Sequence, residues 1–170
     1  MNVFKKIHFR FPKQKGFSVI EIILAAALFL IFSGGAIIVV LQGFDANRTA
    51  TEMIVANQYA IEGLEAVRSI GDQSYSNLTL SSGTGLVRSA SNTWTFSGTN
   101  NQFGPNNKYT RVITITAVNR DASGNIVSSG GTLDANTKKI TATVTWTHTS
   151  ARIDSVVQTT YLTNWGANAN

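Results

Sequence analysis

A single acidic residue lies inside the longest apolar stretch of the chain. Glu21 is the only charged residue in residues 17–41. An ionised side chain in a membrane helix costs at least about 2.5 kcal/mol on insertion scales, so we expect Glu21 to have a function and a partner. Cleavage between Gly16 and Phe17 would give Phe17 a free amine one helical turn from Glu21. On a neighbouring copy of the chain, that amine would neutralise the carboxylate in a low dielectric.

The stretch that contains Glu21 is a candidate transmembrane helix. Residues 22–41 are uncharged, and about 20 such residues are enough to cross the hydrocarbon core of a bilayer. Five basic residues and no acidic residue precede Gly16, namely Lys5, Lys6, Arg10, Lys13 and Lys15. The positive-inside rule therefore predicts a single-pass protein of the cytoplasmic membrane, with residues 1–16 in the cytoplasm and the C-terminus outside.

The charge balance of the rest of the chain argues against nucleic acid as a partner. After Gly16 there remain 9 basic residues (14 − 5), which balance the 9 acidic residues of the whole chain. Lys138 and Lys139, with Trp146 and Trp165 further along the chain, form the one candidate surface for such binding. A neutral domain lacks the electrostatic attraction that strong phosphate binding requires.

Helical periodicity continues across residues 46–70, which contain no proline and no glycine before Gly63. The spacing predicts one helix over residues 17–70, half in lipid and half against a domain. The apolar stripe predicted to face that domain consists of Met53, Ile54, Ala60, Ile61, Leu64 and Val67. The opposite, polar face is predicted to carry Glu52, Gln58, Glu62 and Glu65.

After Gly71 the period of the pattern drops to two, which is typical of strands joined by loops. Three antiparallel strands are predicted at residues 109–118, 139–148 and 153–165, and residues 86–87 and 94–96 are short strand candidates. In the middle strand the apolar residues alternate with threonines, so we expect one face to pack on the helix with Trp146 at the centre of the core. The predicted fold class is α+β, a long N-terminal helix packed on a small antiparallel sheet. Its predicted parts are a leader (1–16), a membrane helix (17–41) and one external domain (42–170).

Residues 15–21, KGFSVIE, resemble the N-terminal motif of the type IV prepilin family. That motif combines a basic leader, a glycine, a phenylalanine and a glutamate at the fifth position of the mature chain, followed by an apolar span. Ser18 stands where the family commonly has threonine. The resemblance covers residues 1 to about 41 and implies a pilin-like fold.

The resemblance implies that a membrane prepilin peptidase cleaves after Gly16 and N-methylates Phe17. It also implies that Glu21 pairs with the Phe17 amine of an adjacent subunit in a filament. The implied partners are other pilin subunits, the prepilin peptidase and an inner-membrane assembly platform. Residues 60–70 and 159–165 are also similar to segments of minor pilins and of type II secretion pseudopilins. This similarity, with no mid-span proline and no cysteine pair, favours a minor subunit over a major one.

Three alternatives to a pilus subunit remain open. A pseudopilin of a type II secretion system would have the same N-terminal motif. A cleaved secretory signal would end at small residues, for which the alanines at 25–27 are the one candidate. A signal-anchor surface protein with a β-rich binding domain explains the span, but it gives no reason for Gly16, Phe17 and Glu21 to be in register.

The chain offers few other groups for chemistry, so we expect no enzyme, no cofactor and no metal. It has no cysteine, which excludes disulfides, thiolate metal sites and a cysteine nucleophile. His148 is the one histidine outside the leader and is predicted to be a solvated strand residue. Asp121, Ser123 and Asn125 suit either a calcium site or a hairpin turn, and the sequence favours the turn.

Overall fold

The computed structural model describes residues 16–149 and 152–165. The chain divides into two compact units, Met1–Ala46 and Asn47–Asn170, and helix α1 (Val19–Gln73) contributes to both. The prediction of one continuous helix is confirmed. The helix also continues through Gly34 and Gly35 without a break. The predicted leader, residues 1–16, lies outside the described residues except for Gly16.

Within the described residues, eight strands follow the helix. They are β1 (Ser81–Thr84), β2 (Leu86–Arg88), β3 (Trp94–Phe96), β4 (Asn101–Phe103), β5 (Tyr109–Arg120), β6 (Ile126–Val127), β7 (Thr132–Thr149) and β8 (Arg152–Thr163). Short 3₁₀ turns, Tyr75–Asn77 and Pro105–Asn107, precede β1 and β5. The fold class is α+β, as predicted.

The main sheet is antiparallel, with the strand order β1-β5-β7-β8. The short strands β4 and β6 also pair with β5, while β2 and β3 pair with each other in a separate two-stranded sheet. The three long strands and the two short candidates predicted from the sequence are therefore confirmed. The sequence did not predict β1, β4 or β6, whose pairing depends on β5 rather than on a pattern of their own.

The core lies between α1 and one face of the sheet. Along β7 the buried residues are Ile140, Ala142, Val144 and Trp146, and they alternate with half-buried threonines on the outer face. Trp146 is 2% exposed, so its predicted place in the core is confirmed. The alternation arises because successive side chains of a strand point to opposite faces.

The face of α1 that packs on the sheet differs from the predicted stripe. Ala60, Leu64 and Val67 are buried as expected, but Met53, Ile54 and Ile61 are 47–60% exposed. The buried face instead consists of Glu52, Ala56, Ala60, Gly63, Leu64, Ala66, Val67 and Ile70. Four of these eight residues are alanine or glycine, and they let the helix backbone approach the sheet closely, whereas larger side chains would hold it away.

Arg111 of β5 fills the space that these small residues leave. It is 1% exposed, and its Nη1 donates a hydrogen bond to the carbonyl of Tyr59 in α1 at 2.8 Å. Its guanidinium also lies 4.6 Å from the ring centroid of Phe103. A Cβ atom at Gly63 would lie only 2.8 Å from Arg111 Cδ. Glycine at position 63 is therefore what allows the helix to lie directly over this side chain.

Candidate functional site

Residues 16–18 precede α1 in non-helical backbone. The carbonyl of Ser18 accepts hydrogen bonds from the amides of Glu21 and Ile22 at 3.0 and 3.2 Å, and these bonds begin the helix. Gly16 is exposed, and Phe17 is 79% exposed. The bond between Gly16 and Phe17 thus lies in the kind of exposed, irregular backbone where proteolysis concentrates.

Glu21 lies in the first turn of α1. The positive end of the helix dipole favours a carboxylate at this position, typically by about 0.3–1 kcal/mol at an exposed site. Its side chain is exposed, and within residues 16–149 and 152–165 no hydrogen bond or ion pair reaches it. Gly16, Phe17 and Glu21 therefore lie within six residues at the start of one helix, and the Glu21 side chain is exposed there.

The apolar side chains that follow Glu21 are uncovered. In residues 19–44 every large aliphatic or aromatic side chain is exposed, from 48% at Leu28 to 74% at Phe32. By length and composition α1 can cross a membrane, and none of its most apolar stretch is buried against the protein. Soluble monomers rarely expose a contiguous apolar surface of this kind. This surface needs a cover of lipid or of other protein.

A second cluster of polar side chains, which we call the Glu52 cluster, lies where α1 meets the sheet. Its centre is Glu52, which is 6% exposed. Glu52 Oε1 accepts hydrogen bonds from Arg48 Nε at 2.9 Å and from Lys108 Nζ at 2.5 Å. Glu52 Oε2 accepts one from Trp146 Nε1 at 3.1 Å and lies 2.9 Å from His148 Nδ1. The carboxylate is therefore satisfied on both oxygens by residues of α1, β7 and the segment before β5.

The Glu52 cluster corrects two predictions. Glu52 does not belong to the solvent face of the helix, and His148 is not a solvated strand residue, because it is buried beside Glu52. Both errors have one physical reason. A carboxylate can be buried when several donors surround it, and apart from Arg48 its partners lie 56 to 96 residues away in the chain. The signal available in the sequence was the helical spacing of Glu52 with the small residues Ala56, Ala60 and Gly63.

The protonation state of Glu52 follows from its surroundings. Burial alone would raise the pKa of this carboxyl, but hydrogen bonds from Lys108, His148 and Arg48 outweigh it and lower the pKa to about 2. Glu52 is thus ionised at neutral pH, and so weak a base is poorly suited to accept a proton in catalysis. The arrangement is suited instead to hold α1 against the ends of β5 and β7.

The loop at residues 121–125 forms a turn, as the sequence favoured. Asp121 Oδ1 accepts hydrogen bonds from the amides of Ser123 and Asn125 at 2.9 and 2.8 Å. The backbone closes the turn through Gly124, whose amide donates to the Asp121 carbonyl at 3.0 Å. Gly124 has a φ of 83°, a conformation that glycine adopts readily.

Together these features define an α+β protein with one long N-terminal helix. The first part of that helix is apolar enough to span a membrane, and the part from Asn47 onward packs on an antiparallel sheet. No family model matches the chain, and neither a curated protein nor a solved structure matches it.

Proposed function

We propose that this chain is a structural subunit, of the minor kind, of a type IV pilus-like filament, and that it assembles through its N-terminal helix. One observation carries the proposal. An uncovered apolar helix begins with a single carboxylate, Glu21, four residues after Phe17 and five after Gly16. An apolar anchor needs no such acid, whereas a helix that packs against other copies can use it to fix their register.

In this proposal the apolar surface of α1 contacts lipid before assembly and other subunits after it. Lipid of the cytoplasmic membrane covers residues 19–44 before assembly, with the N-terminus inside and the C-terminus outside. The same surface of other subunits covers it in the filament. Glu21 is then neutralised by the α-amine of Phe17 on an adjacent subunit, so that neither charge stays unpaired in the low-dielectric centre.

Processing precedes assembly. A prepilin peptidase cuts between Gly16 and Phe17 and methylates the new amine, and an inner-membrane platform then transfers the subunit into the filament. The expected mature protein begins at N-methylated Phe17, which intact-mass measurement of the membrane-extracted protein tests. Retention of Met1, or a start after the alanines at 25–27, would contradict the proposal.

Substitution of Glu21 provides the functional test. Glu21→Leu removes an intramembrane carboxylate, so membrane insertion should be as good as in the parent chain or better. Incorporation into filaments should fall strongly, because it leaves the Phe17 amine unpaired at a cost of about 3–5 kcal/mol. Glu21→Gln keeps the shape and the hydrogen-bonding groups without the charge, and it separates the electrostatic account from a packing account.

The assay measures the amount of this protein in sheared filaments relative to its amount in the membrane. Glu62→Gln, which removes an exposed carboxylate from the same helix, serves as the matched control and should behave like the parent chain. Incorporation of both Glu21 variants at the parental ratio would refute neutralisation between subunits. It would then favour a single-pass anchor with a β-rich binding domain. A pseudopilin of type II secretion would give the same response to Glu21, but the protein would then be found in short periplasmic filaments.

A further inference from the structure

Strand β8 forms one edge of the main sheet, because in the described part of the chain it pairs with β7 alone. An edge strand presents unpaired backbone N–H and C=O groups, and natural sheets usually protect it with prolines, lysines, bulges or shortness. β8 has 12 residues and contains no proline, glycine or lysine. Its charges are confined to Arg152 and Asp154, which leaves nine uncharged residues, 155–163. Residues 155–163 of this edge therefore have none of the usual protection against pairing with another strand.

The side chains on the outer face of β8 form a symmetric pattern. They are Ile153, Ser155, Val157, Thr159 and Tyr161, with apolar residues at the ends and the centre and hydroxyl groups between them. The three apolar side chains are 75%, 55% and 44% exposed in chain order. In either direction from Val157, the next outer-face residue carries a hydroxyl group and the one after it is a large apolar or aromatic residue.

We propose that β8 pairs antiparallel with β8 of a second copy of this chain, about a two-fold axis at Val157. In that register Val157 faces its own copy, Ile153 faces Tyr161 and Ser155 faces Thr159. Antiparallel strands are stabilised by cross-strand pairs of these kinds: an aromatic residue with a β-branched one, a hydroxyl with a hydroxyl, and an apolar residue with an apolar one.

Neighbouring registers lose this match. With the axis at residue 156, Ile153 would face Thr159 and Ser155 would face Val157. With the axis at residue 158, Ile153 would face Thr163 and Ser155 would face Tyr161. In the proposed register the two charged residues also meet no like charge, since Arg152 faces Leu162 and Asp154 faces Thr160. Like charges in direct opposition would destabilise the pair.

The proposed contact joins copies that point in opposite directions. Within the second unit, α1 runs alongside β8 in the same direction. Glu52 bonds to His148 near the start of β8, Asn57 Oδ1 accepts a hydrogen bond from Gln158 Nε2 at 2.7 Å, and Gly71 shares a cavity with Leu162 near its end. A two-fold axis normal to the sheet reverses strand and helix together. The contact therefore cannot join two copies that point the same way in one membrane or in one filament, and it does not rest on the function proposed above.

The absence of native cysteine gives a direct test. A single strand pair is small beside the roughly 1,600 Å² of a standard stable interface, so covalent trapping is the primary measurement. Val157→Cys in the detergent-solubilised full-length chain, under mild oxidation, is expected to give a disulfide-linked dimer on a non-reducing gel. Met53→Cys is the matched control, since Met53 on α1 is exposed to a similar degree, 52%, and should give no dimer.

Two further variants test the register. Ile153→Cys and Tyr161→Cys are each expected to stay monomeric alone and to form a heterodimer when mixed, because residues 153 and 161 face each other only across the two-fold axis. Val157→Lys opposes two like charges at the axis, and it should abolish self-association while the thermal melt of the fold stays unchanged.

Three results would overturn the proposal. The first is no more dimer for Val157→Cys than for Met53→Cys. The second is cross-linking of Ile153→Cys alone that equals cross-linking of the mixture, which would indicate another register or parallel strands. The third is an unchanged dimer fraction in Val157→Lys, measured by sedimentation in detergent.

Discussion

Glu52→Gln is expected to destabilise the folded domain by about 3 kcal/mol at neutral pH and to lose this effect in acid. The substitution keeps the shape of the side chain and an oxygen that can accept from Trp146 Nε1. It removes the negative charge to which Arg48, Lys108 and His148 are bonded in the Glu52 cluster. The comparison of the two chains therefore isolates the electrostatic part of the cluster.

The magnitude follows from the pKa of Glu52, which falls from the ordinary 4.5 to about 2 in the folded protein. The difference, about 2.5 pH units at about 1.4 kcal/mol each, gives about 3 kcal/mol. Because the pKa is lowered on folding, the stabilisation is fully present above pH 4.5 and is lost as the pH falls through about 2. The difference in the free energy of unfolding between the parent chain and Glu52→Gln should therefore disappear as the pH falls from 4.5 to about 2. We call this difference the stability gap.

Urea unfolding of the full-length chain in a non-ionic detergent, followed by tryptophan fluorescence, measures this gap. We compare the parent chain with Glu52→Gln at neutral pH and at several values between pH 4.5 and 2. Glu62→Gln, an exposed site on the same helix, is the control and should change the free energy of unfolding by less than about 0.5 kcal/mol. A stability gap that stays constant with pH, or no stability gap at neutral pH, would refute the claim that the charge of Glu52 stabilises the fold.

Two other predictions concern the packing of α1. Gly63→Val should destabilise the fold by about 1–3 kcal/mol in thermal or urea unfolding, since its side chain would overlap Arg111, whereas Gly43→Val has open space around it and should cost far less. A chain beginning at residue 46 should be soluble and melt cooperatively, because the helix covers the apolar face of the sheet. If a chain beginning at residue 71 melts identically, the helix does not belong to that core.

The long strands could be predicted because their buried residues follow a local pattern in the sequence. Ile140, Ala142, Val144 and Trp146 alternate with threonines, and a period of two requires no knowledge of partners. The short strands β1, β4 and β6 could not be predicted in the same way. Their two to four residues are held by pairing with β5, which is a property of the tertiary fold.

The packed face of α1 shows a limit of a different kind. Hydrophobicity favoured Met53, Ile54 and Ile61 as contacts with the sheet, yet the sheet lies against alanine and glycine instead. Close approach requires small residues, and the volume beside Gly63 is filled by Arg111 from a distant strand. A pattern restricted to the helix contains no information about those partners.

The candidate functional residues show the same difference between local patterns and contacts made by the tertiary fold. Gly16, Phe17 and Glu21 lie within six residues, so a local motif was sufficient to select them, and their role in assembly stays a prediction. The Glu52 cluster joins residues from three separate parts of the chain. No local pattern joins Glu52 and Arg48 to Lys108, Trp146 and His148, so the sequence did not indicate that these residues form one cluster.

The parallel course of α1 and β8 has a mechanical consequence. The contacts that join the helix to the sheet are distributed along the helix, at Glu52, at Asn57, at the Tyr59 carbonyl and at Gly63. A pull along the helix axis would load these contacts at the same time, in shear, instead of opening them one after another. Resistance to forced unfolding depends on the barrier to rupture more than on equilibrium stability. A domain held in this way can bear tension transmitted through its own helix.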